Sequence, residues 1–147
     1  MARPRSVRLR SDVGERLDSY VREVGGSSSS VIERLLDEAL RRERHPDVTF
    51  RDGPAGRRAG LVRGPDVWEI AGSLKANRAE SPDASGEAML ELLEQSTGLP
   101  RRDLRAALRY YAEFTDEVDA WIASNDALAA RLEALWRREQ ELLAGSA

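Results

Sequence analysis

The chain has 147 residues, of which 41% are hydrophobic and 33% charged, and a formal net charge of −3. This length fits one domain of ordinary size or two small ones. Because there is no cysteine and His45 is the single histidine, disulfides, thiolate chemistry, multi-histidine metal sites and a serine–histidine triad are excluded within one chain. No apolar run approaches the ~20 residues of a membrane span, and no signal-peptide core is visible. We therefore expect a cytoplasmic protein without a membrane partner.

The charge is distributed unevenly along the chain. Residues 1–45 hold ten arginines and eight acids, net +2, whereas residues 77–147 hold eight basic and fourteen acidic residues, net −6. Lys75 is the single lysine among 23 basic residues. Arginine favours bidentate contacts to phosphate and guanine, although a GC-rich genome alone would also enrich it. A basic start and an acidic end indicate two different partners.

The segment RSVRLRSD alternates between apolar and polar side chains. Val7 and Leu9 fall on one side, and Ser6, Arg8 and Arg10 fall on the other, which predicts a short strand with one apolar face. Such a strand is not stable alone. Together with the two helices predicted after it, it has too little core to fold as a monomer, so we expect a homodimer with paired strands.

Two amphipathic helices are predicted after the strand, separated by GGSSSS. The first begins at a cap formed by Ser11 or Asp12 and ends at the glycine pair. The second covers VIERLLDEALRRER. GGSSSS has the composition of a flexible spacer, but both flanking helices need a turn here to bury their apolar faces. We therefore predict that the glycines form the turn and that Ser27 or Ser28 caps the second helix.

The order strand, helix, helix, with SVRL, SDV and GGSSSSVI at their spacing, resembles the ribbon-helix-helix DNA-binding proteins over about the first 44 residues. The resemblance implies that paired strands of a homodimer enter the major groove of operator DNA. It also implies that the amides starting the second helix hold a DNA phosphate, as free N–H groups at a positive dipole end favour. The alternative is a solvated edge strand whose arginines prevent aggregation. The implied base-reading residues are Ser6, Arg8 and Arg10, and the implied phosphate contacts are Arg3, Arg5, Ser27, Ser28 and Ser29.

Residues 45–124 are predicted to form a second module, which consists of a β-hairpin followed by helices. A strand around Val48 pairs with RRAGLV through the turn DGPAG, and Asp66 caps the next helix. A polar loop is predicted over residues 77–86. Helix EAMLELLEQ, the turn STGLP and a helix opened by Pro100 form a helix-turn-helix, and Thr115 caps a further short helix. Core aromatics are predicted to be Trp68, Tyr110, Tyr111 and Trp121.

The residues HPDVTFRDGPAGRRA, GPDVW and GLPRRDLRAALRYYAEFTDEVDAWI resemble the DUF433 family, in the version seen in VapB-type antitoxins. Arg101, Arg105 and Arg109 are four apart and share one helix face. They form either a second DNA-recognition face or a structural or dimerising surface, and the surrounding acids favour the latter. His45 is interpreted as the start of the hairpin. No nucleophile–base pair, metal cluster or cofactor loop stands out, so we predict no enzyme activity, no cofactor and no metal.

The tail, residues 125–147, predicts a helix capped by Asn125 or Asp126 that carries an apolar stripe. The stripe fits a partner groove, or it packs on the second module, or it pairs with its copy in a dimer. The antitoxin resemblance implies a PIN-domain ribonuclease toxin, which cuts RNA with clustered carboxylates and Mg²⁺, as the partner. The residues of the apolar stripe are Leu128, Leu132, Leu135, Trp136, Leu142 and Leu143. The candidate toxin-binding residues are Arg131, Leu132, Leu135, Trp136, Arg137 and Arg138.

The sequence thus predicts a mainly α protein with three parts. Residues 1–44 are a dimeric ribbon-helix-helix that binds operator DNA. Residues 45–124 are a DUF433-like domain with a β-hairpin and a helix-turn-helix, and residues 125–147 are a toxin-binding helix. The predicted function is an antitoxin that neutralises a PIN-domain toxin and represses its own operon. The alternative is a stand-alone transcriptional regulator whose second module senses a ligand or extends the DNA contact.

Overall fold

The structure is a computed structural model that describes residues 6–145. Over this range the chain is mainly helical, with one two-stranded antiparallel sheet. Its contacts divide the chain into two units between Glu43 and Arg44. The helices are α1 (Ser11–Val24), α2 (Ser28–Arg44), α3 (Val67–Glu80), α4 (Glu87–Thr97), α5 (Arg101–Glu113) and α6 (Thr115–Leu143), and the strands are β1 (Val48–Gly53) and β2 (Gly56–Leu61).

The N-terminal unit buries very little apolar surface. Helix α1 buries no residue, and α2 buries only Val31. A polar contact joins the two helices, because Arg34 Nη2 donates a hydrogen bond to the Tyr20 hydroxyl at 3.2 Å and its guanidinium lies 5.8 Å from the ring centre. So small a core rarely stabilises a unit of this size. The large apolar side chains left exposed are Val7, Leu9, Val24, Leu35, Leu36 and Leu40.

Residues 6–10 form no strand in the single chain. Because a strand needs a hydrogen-bonding partner, the predicted strand remains a prediction about the dimer. The predicted side-chain cap of α1 is wrong. Arg10 is the N-cap residue, with extended backbone and no capping hydrogen bond. Asp12 instead pairs with Arg10 and Arg16, at 3.4 and 3.1 Å.

The second unit begins with the predicted β-hairpin. Strands β1 and β2 pair antiparallel from Val48 opposite Leu61 to Gly53 opposite Gly56. Gly56 has a φ of 122°, which favours glycine. A Cβ added there would lie 3.4 Å from the Trp121 ring, so this tryptophan covers the hairpin turn.

Helix α3 occupies the centre of the second unit and contacts β2, α4, α5 and α6. Tyr110 is fully buried, while Trp68 and Tyr111 pack partly buried against the core, which confirms the core position predicted for these three aromatics. The fully buried large side chains are Val48, Val67, Ile70, Leu93, Leu104 and Tyr110.

Some predicted boundaries differ from the observed ones. Helix α3 extends to Glu80, so the loop predicted over residues 77–86 is four residues shorter at its start. The helix–turn–helix pair is present, with Gly98 in the left-handed conformation ending α4. Pro100 is the N-cap residue of α5, one position before the helix it was predicted to open. Its missing N–H removes no helical hydrogen bond at this position.

Helix α6 is one continuous helix of 29 residues. The predicted cap by Thr115 is wrong, since its hydroxyl donates to the Tyr111 carbonyl at 2.9 Å. The second helix start predicted at Asn125 or Asp126 is also wrong. Neither residue interrupts α6, because the flanking sequence contains no glycine or proline to break the hydrogen-bond ladder.

Asp66 holds the hairpin to the start of α3. Its carboxylate is 6% exposed, accepts a hydrogen bond from Arg51 Nη2 at 2.9 Å and is bonded to Arg58 Nε. Asp66 is also the N-cap residue of α3, as predicted, and its amide donates to Glu69 at 3.0 Å. A Cβ at Gly60 would collide with the Arg51 guanidinium, so a glycine there lets Arg51 cross the strand.

We expect Asp66→Ala to lower the free energy of unfolding by about 2–3 kcal/mol, because two guanidiniums lose the buried carboxylate that they share. A fully buried pair would cost about 3–5 kcal/mol, but both arginines keep some contact with water. Urea unfolding followed by circular dichroism measures the change. The matched control is Asp52→Ala, whose carboxylate pairs with Arg57 at 3.0 Å but is 82% exposed. It should cost less than about 0.5 kcal/mol, and equal losses would contradict the role of Asp66.

Candidate functional site

The GGSSSS segment is an ordered helix start. Gly25 and Gly26 have φ values of 76° and 94°, which glycine adopts without strain. Ser27 Oγ accepts a hydrogen bond from the Ser30 amide at 3.1 Å, and Ser30 Oγ donates to the Ser27 carbonyl at 2.9 Å. This is N-cap geometry, so the predicted glycine turn and the cap by Ser27 are confirmed.

The first turn of α2 presents unused hydrogen-bond donors to solvent. The amides of Ser28 and Ser29 have no acceptor within residues 6–145, and both residues are exposed. No acidic residue lies in this turn. Free amides at the positive end of a helix dipole favour an anion, and a phosphate is the usual one. Because the Ser27 hydroxyl is engaged in the cap, Ser28 and Ser29 are the predicted phosphate residues whose donors remain available.

The N-terminal segment is exposed throughout its described part. Arg8 forms no ion pair with any described residue, while Arg10 Nη2 lies 3.4 Å from the Asp12 carboxylate in a pair that is largely solvated. Exposed pairs of this kind contribute little. Ser6 and both arginines are therefore open to a ligand. Two predicted phosphate contacts, Arg3 and Arg5, lie outside the described residues.

The three arginines of the predicted α5 face have different surroundings. Arg101 lies 2.6 Å from Glu94 and 2.5 Å from Glu87, and Arg105 lies 2.6 Å from Glu87. The hydrogen bond with Glu94 raises the pKa of Arg101 above its ordinary value. Arg109 forms no ion pair with any described residue. Two of the three charges are thus neutralised by α4, which favours the structural interpretation of this face.

His45 packs at the corner where α5 meets α6. Its Nε2 lies 2.8 Å from a Glu113 carboxylate oxygen, and its ring meets Tyr110 and Phe114 edge-on, with centroids 5.2 and 6.0 Å apart. Its carbonyl accepts from the Val48 amide at 3.0 Å, as expected at the start of the hairpin. These contacts give His45 a structural role.

A polar cluster ties the base of α6 to α3 and α5. Asp119 accepts hydrogen bonds from Lys75 Nζ at 2.8 Å and from the Tyr111 hydroxyl at 2.7 Å. The Lys75 contact, with the Tyr111 contact adding to it, lowers the pKa of Asp119 below its ordinary 3.8. Burial, followed by the Asp119 contact, raises the pKa of Tyr111. Sequence reasoning missed this cluster because its members lie on three different helices.

We expect this cluster to stabilise the second unit above about pH 4 and to weaken in acid. The folded-state pKa of Asp119 lies below the unfolded value, so its contribution is complete above the unfolded pKa and is lost as pH falls through the folded one. Urea unfolding from about pH 5 to about pH 2 should show a smaller loss for Asp119→Asn than for the natural chain. Identical pH profiles would contradict the assignment.

Beyond Ile122, helix α6 buries nothing. Every described residue from 123 to 145 is exposed, including all six members of the apolar stripe. At 3.6 residues per turn, Arg131 and Arg138 flank the stripe, whereas Arg137 lies on the opposite side of the helix and is paired with Glu133. The structure therefore separates the three arginines that sequence reasoning had grouped.

The described residues contain no group of three or more His, Cys, Asp or Glu side chains arranged to hold a metal ion. Within residues 6–145, no helix has both the length and the apolar character that crossing a bilayer requires. Comparison with protein families, curated proteins and solved structures gives no match for this chain.

Proposed function

We propose that this chain is an antitoxin of a type II toxin–antitoxin system that neutralises a PIN-domain ribonuclease and represses its own operon. The observation that carries the proposal is the exposed apolar stripe of α6. A soluble monomer rarely exposes a continuous apolar surface of this kind, and a helix with apolar side chains on one side is a usual ligand for a hydrophobic groove.

The stripe has the composition of a protein-binding segment. Trp136 lies among the leucines, and buried tryptophans and arginines contribute most to binding energy at protein interfaces. Trp136 is 59% exposed, so more than half of its surface is free to enter a pocket. Arg131 and Arg138 border the stripe and are placed to reach acidic groups of a partner, such as the clustered carboxylates of a PIN-domain active site.

The N-terminal unit supports the DNA-binding half of the proposal. Its exposed apolar side chains on both helices need a second copy to cover them, and pairing two Ser6–Arg10 segments would supply the missing strand partner. In that dimer, Ser6, Arg8 and Arg10 read base edges, while the amides of Ser28 and Ser29 hold a backbone phosphate. Phosphate contacts of this kind make binding strongly dependent on salt concentration.

Co-expression tests the proposal. The chain is produced together with the product of the adjacent gene, and only that product carries an affinity tag. We expect a stable complex, and we expect the adjacent product to arrest growth when it is expressed alone. The proposal fails if the two proteins do not co-purify. If the free chain then still shifts its own promoter DNA, the stand-alone regulator is the correct function.

A further inference from the structure

The second unit contains a cleft of about 430 Å³ between the hairpin and α5. The exposed Pro46 and Val62 provide its apolar surface, with the buried Leu61 behind them. Val62 is 54% exposed although it lies beside a buried leucine, so this surface is open to solvent. Ligand pockets are commonly about 300–1,000 Å³ and combine an apolar lining with a few converging polar groups. The cleft has the size and lining of such a pocket.

Four guanidinium groups line the same cleft. Arg63 follows β2, and Arg102, Arg105 and Arg109 occupy one face of α5 at spacings of three and four residues. Arg102 and Arg105 each have an acidic partner, at 3.0 and 2.6 Å. Arg63 and Arg109 have no acceptor within residues 6–145. Two guanidinium groups without an ion-pair partner among the described residues therefore line a partly apolar cleft.

The acidic side chains compensate the positive charge of the cleft only in part. Two aspartates line it against four arginines, and Asp103 is already paired with Arg102. The carboxylate of Asp47 forms no ion pair with a described arginine. A guanidinium presents a planar set of donors that matches the oxygens of a carboxylate or a phosphate. An anionic group is thus the chemistry that the free arginines recognise.

We propose that this cleft binds a small organic anion, whose carboxylate or phosphate group is held by Arg63 and Arg109 and whose apolar part rests on Pro46 and Val62. The second unit then has a ligand-binding role that is independent of operator and toxin binding. Asp47 restricts the ligand further, since a second negative group placed near this carboxylate would be repelled.

The proposal is tested by titrating the full chain with small-molecule probes and monitoring its amide chemical shifts by NMR. The probes are phenyl phosphate and benzoate, and the neutral control is benzyl alcohol. We expect shifts at residues 61–63 and 102–109 with at least one anion and none with the alcohol. Arg63→Gln combined with Arg109→Gln should weaken binding at least about tenfold, because charged hydrogen bonds are lost. Its circular dichroism and thermal midpoint should stay unchanged, since neither arginine pairs within the described chain.

The matched control combines Arg131→Gln with Arg138→Gln, which removes two equally unpaired arginines from the tail and should leave probe binding unchanged. Binding of neither anion, equal binding of the alcohol, or full binding by the Arg63 and Arg109 variant would overturn the proposal. If that variant instead loses operator affinity and the probes do not bind, the cleft arginines contact DNA phosphates and the small-anion proposal is wrong.

Discussion

Deletion of residues 125–147 is expected to lower affinity for the proposed toxin partner by at least about a thousandfold, since several apolar anchors of roughly 2 kcal/mol each are lost. The core should not be affected, because residues 123–145 bury nothing and the contacts of Asp119 at the base of α6 remain. A pull-down with tagged partner and a growth-rescue assay measure the loss. Operator binding and the thermal midpoint should match those of the full chain, and retained neutralisation by the truncated chain would refute the tail assignment.

Paired glutamate substitutions separate the apolar stripe from the tail as a whole. Leu132→Glu combined with Trp136→Glu places two charges within the stripe, and we expect at least about a hundredfold weaker partner binding. Ala130→Glu combined with Ala134→Glu adds the same charge with the same spacing on the opposite side of α6, at positions that are equally exposed. This control should bind normally. Equal losses in both variants would mean that net charge, rather than the stripe, decides binding.

Replacement of Arg8 by alanine is expected to weaken operator binding and to relax base preference. A bidentate contact to a base contributes about 1–3 kcal/mol of discrimination, and a dimer loses two of them. Arg8 is exposed and pairs with no described residue, so the substitution removes no interaction observed within the chain. Fluorescence anisotropy with operator and scrambled duplexes measures both affinity and preference.

The control for this experiment is Arg22→Ala, which removes the same charge from an exposed position on α1. Its effect should be small and independent of DNA sequence. If Arg8→Ala weakens operator and scrambled DNA equally, Arg8 contacts phosphate rather than bases. If operator binding is unchanged, the segment from Ser6 to Arg10 is not the DNA-reading strand.

Elements specified by neighbouring residues were predictable. The hairpin follows from the alternation of Val48 and Phe50 and from the turn DGPAG before RRAGLV, and the start of α3 follows from Asp66 before an apolar periodic segment. The Gly25–Ser30 turn was predicted for the same reason, since positive-φ glycines and a serine cap act over a few residues. At Ser11 and Thr115 a capping side chain was predicted from the sequence, but each is the first helical residue, and the N-cap residue before it makes no side-chain capping hydrogen bond.

The candidate sites divide in the same way. Periodicity alone placed the apolar stripe on one face of a helix, but only the fold shows that α6 runs past the core and leaves this face uncovered. The arginines of α5 shared a face in the sequence as well. Which of them is paired depends on Glu87 and Glu94, which belong to another helix. Which of them lines the cleft depends on the position of the hairpin.

The sequence by itself determined the helical class, the hairpin, the serine-capped turn and the amphipathic faces, because these depend on backbone preferences and on side chains a few positions apart. The tertiary structure decided which charges are paired. Asp66 with Arg51, Asp119 with Lys75, and Arg101 with Glu94 join separate elements. An arginine in the sequence is only a potential anion-binding group. Whether it binds a ligand or holds the fold depends on which carboxylates folding brings within about 3–4 Å of it.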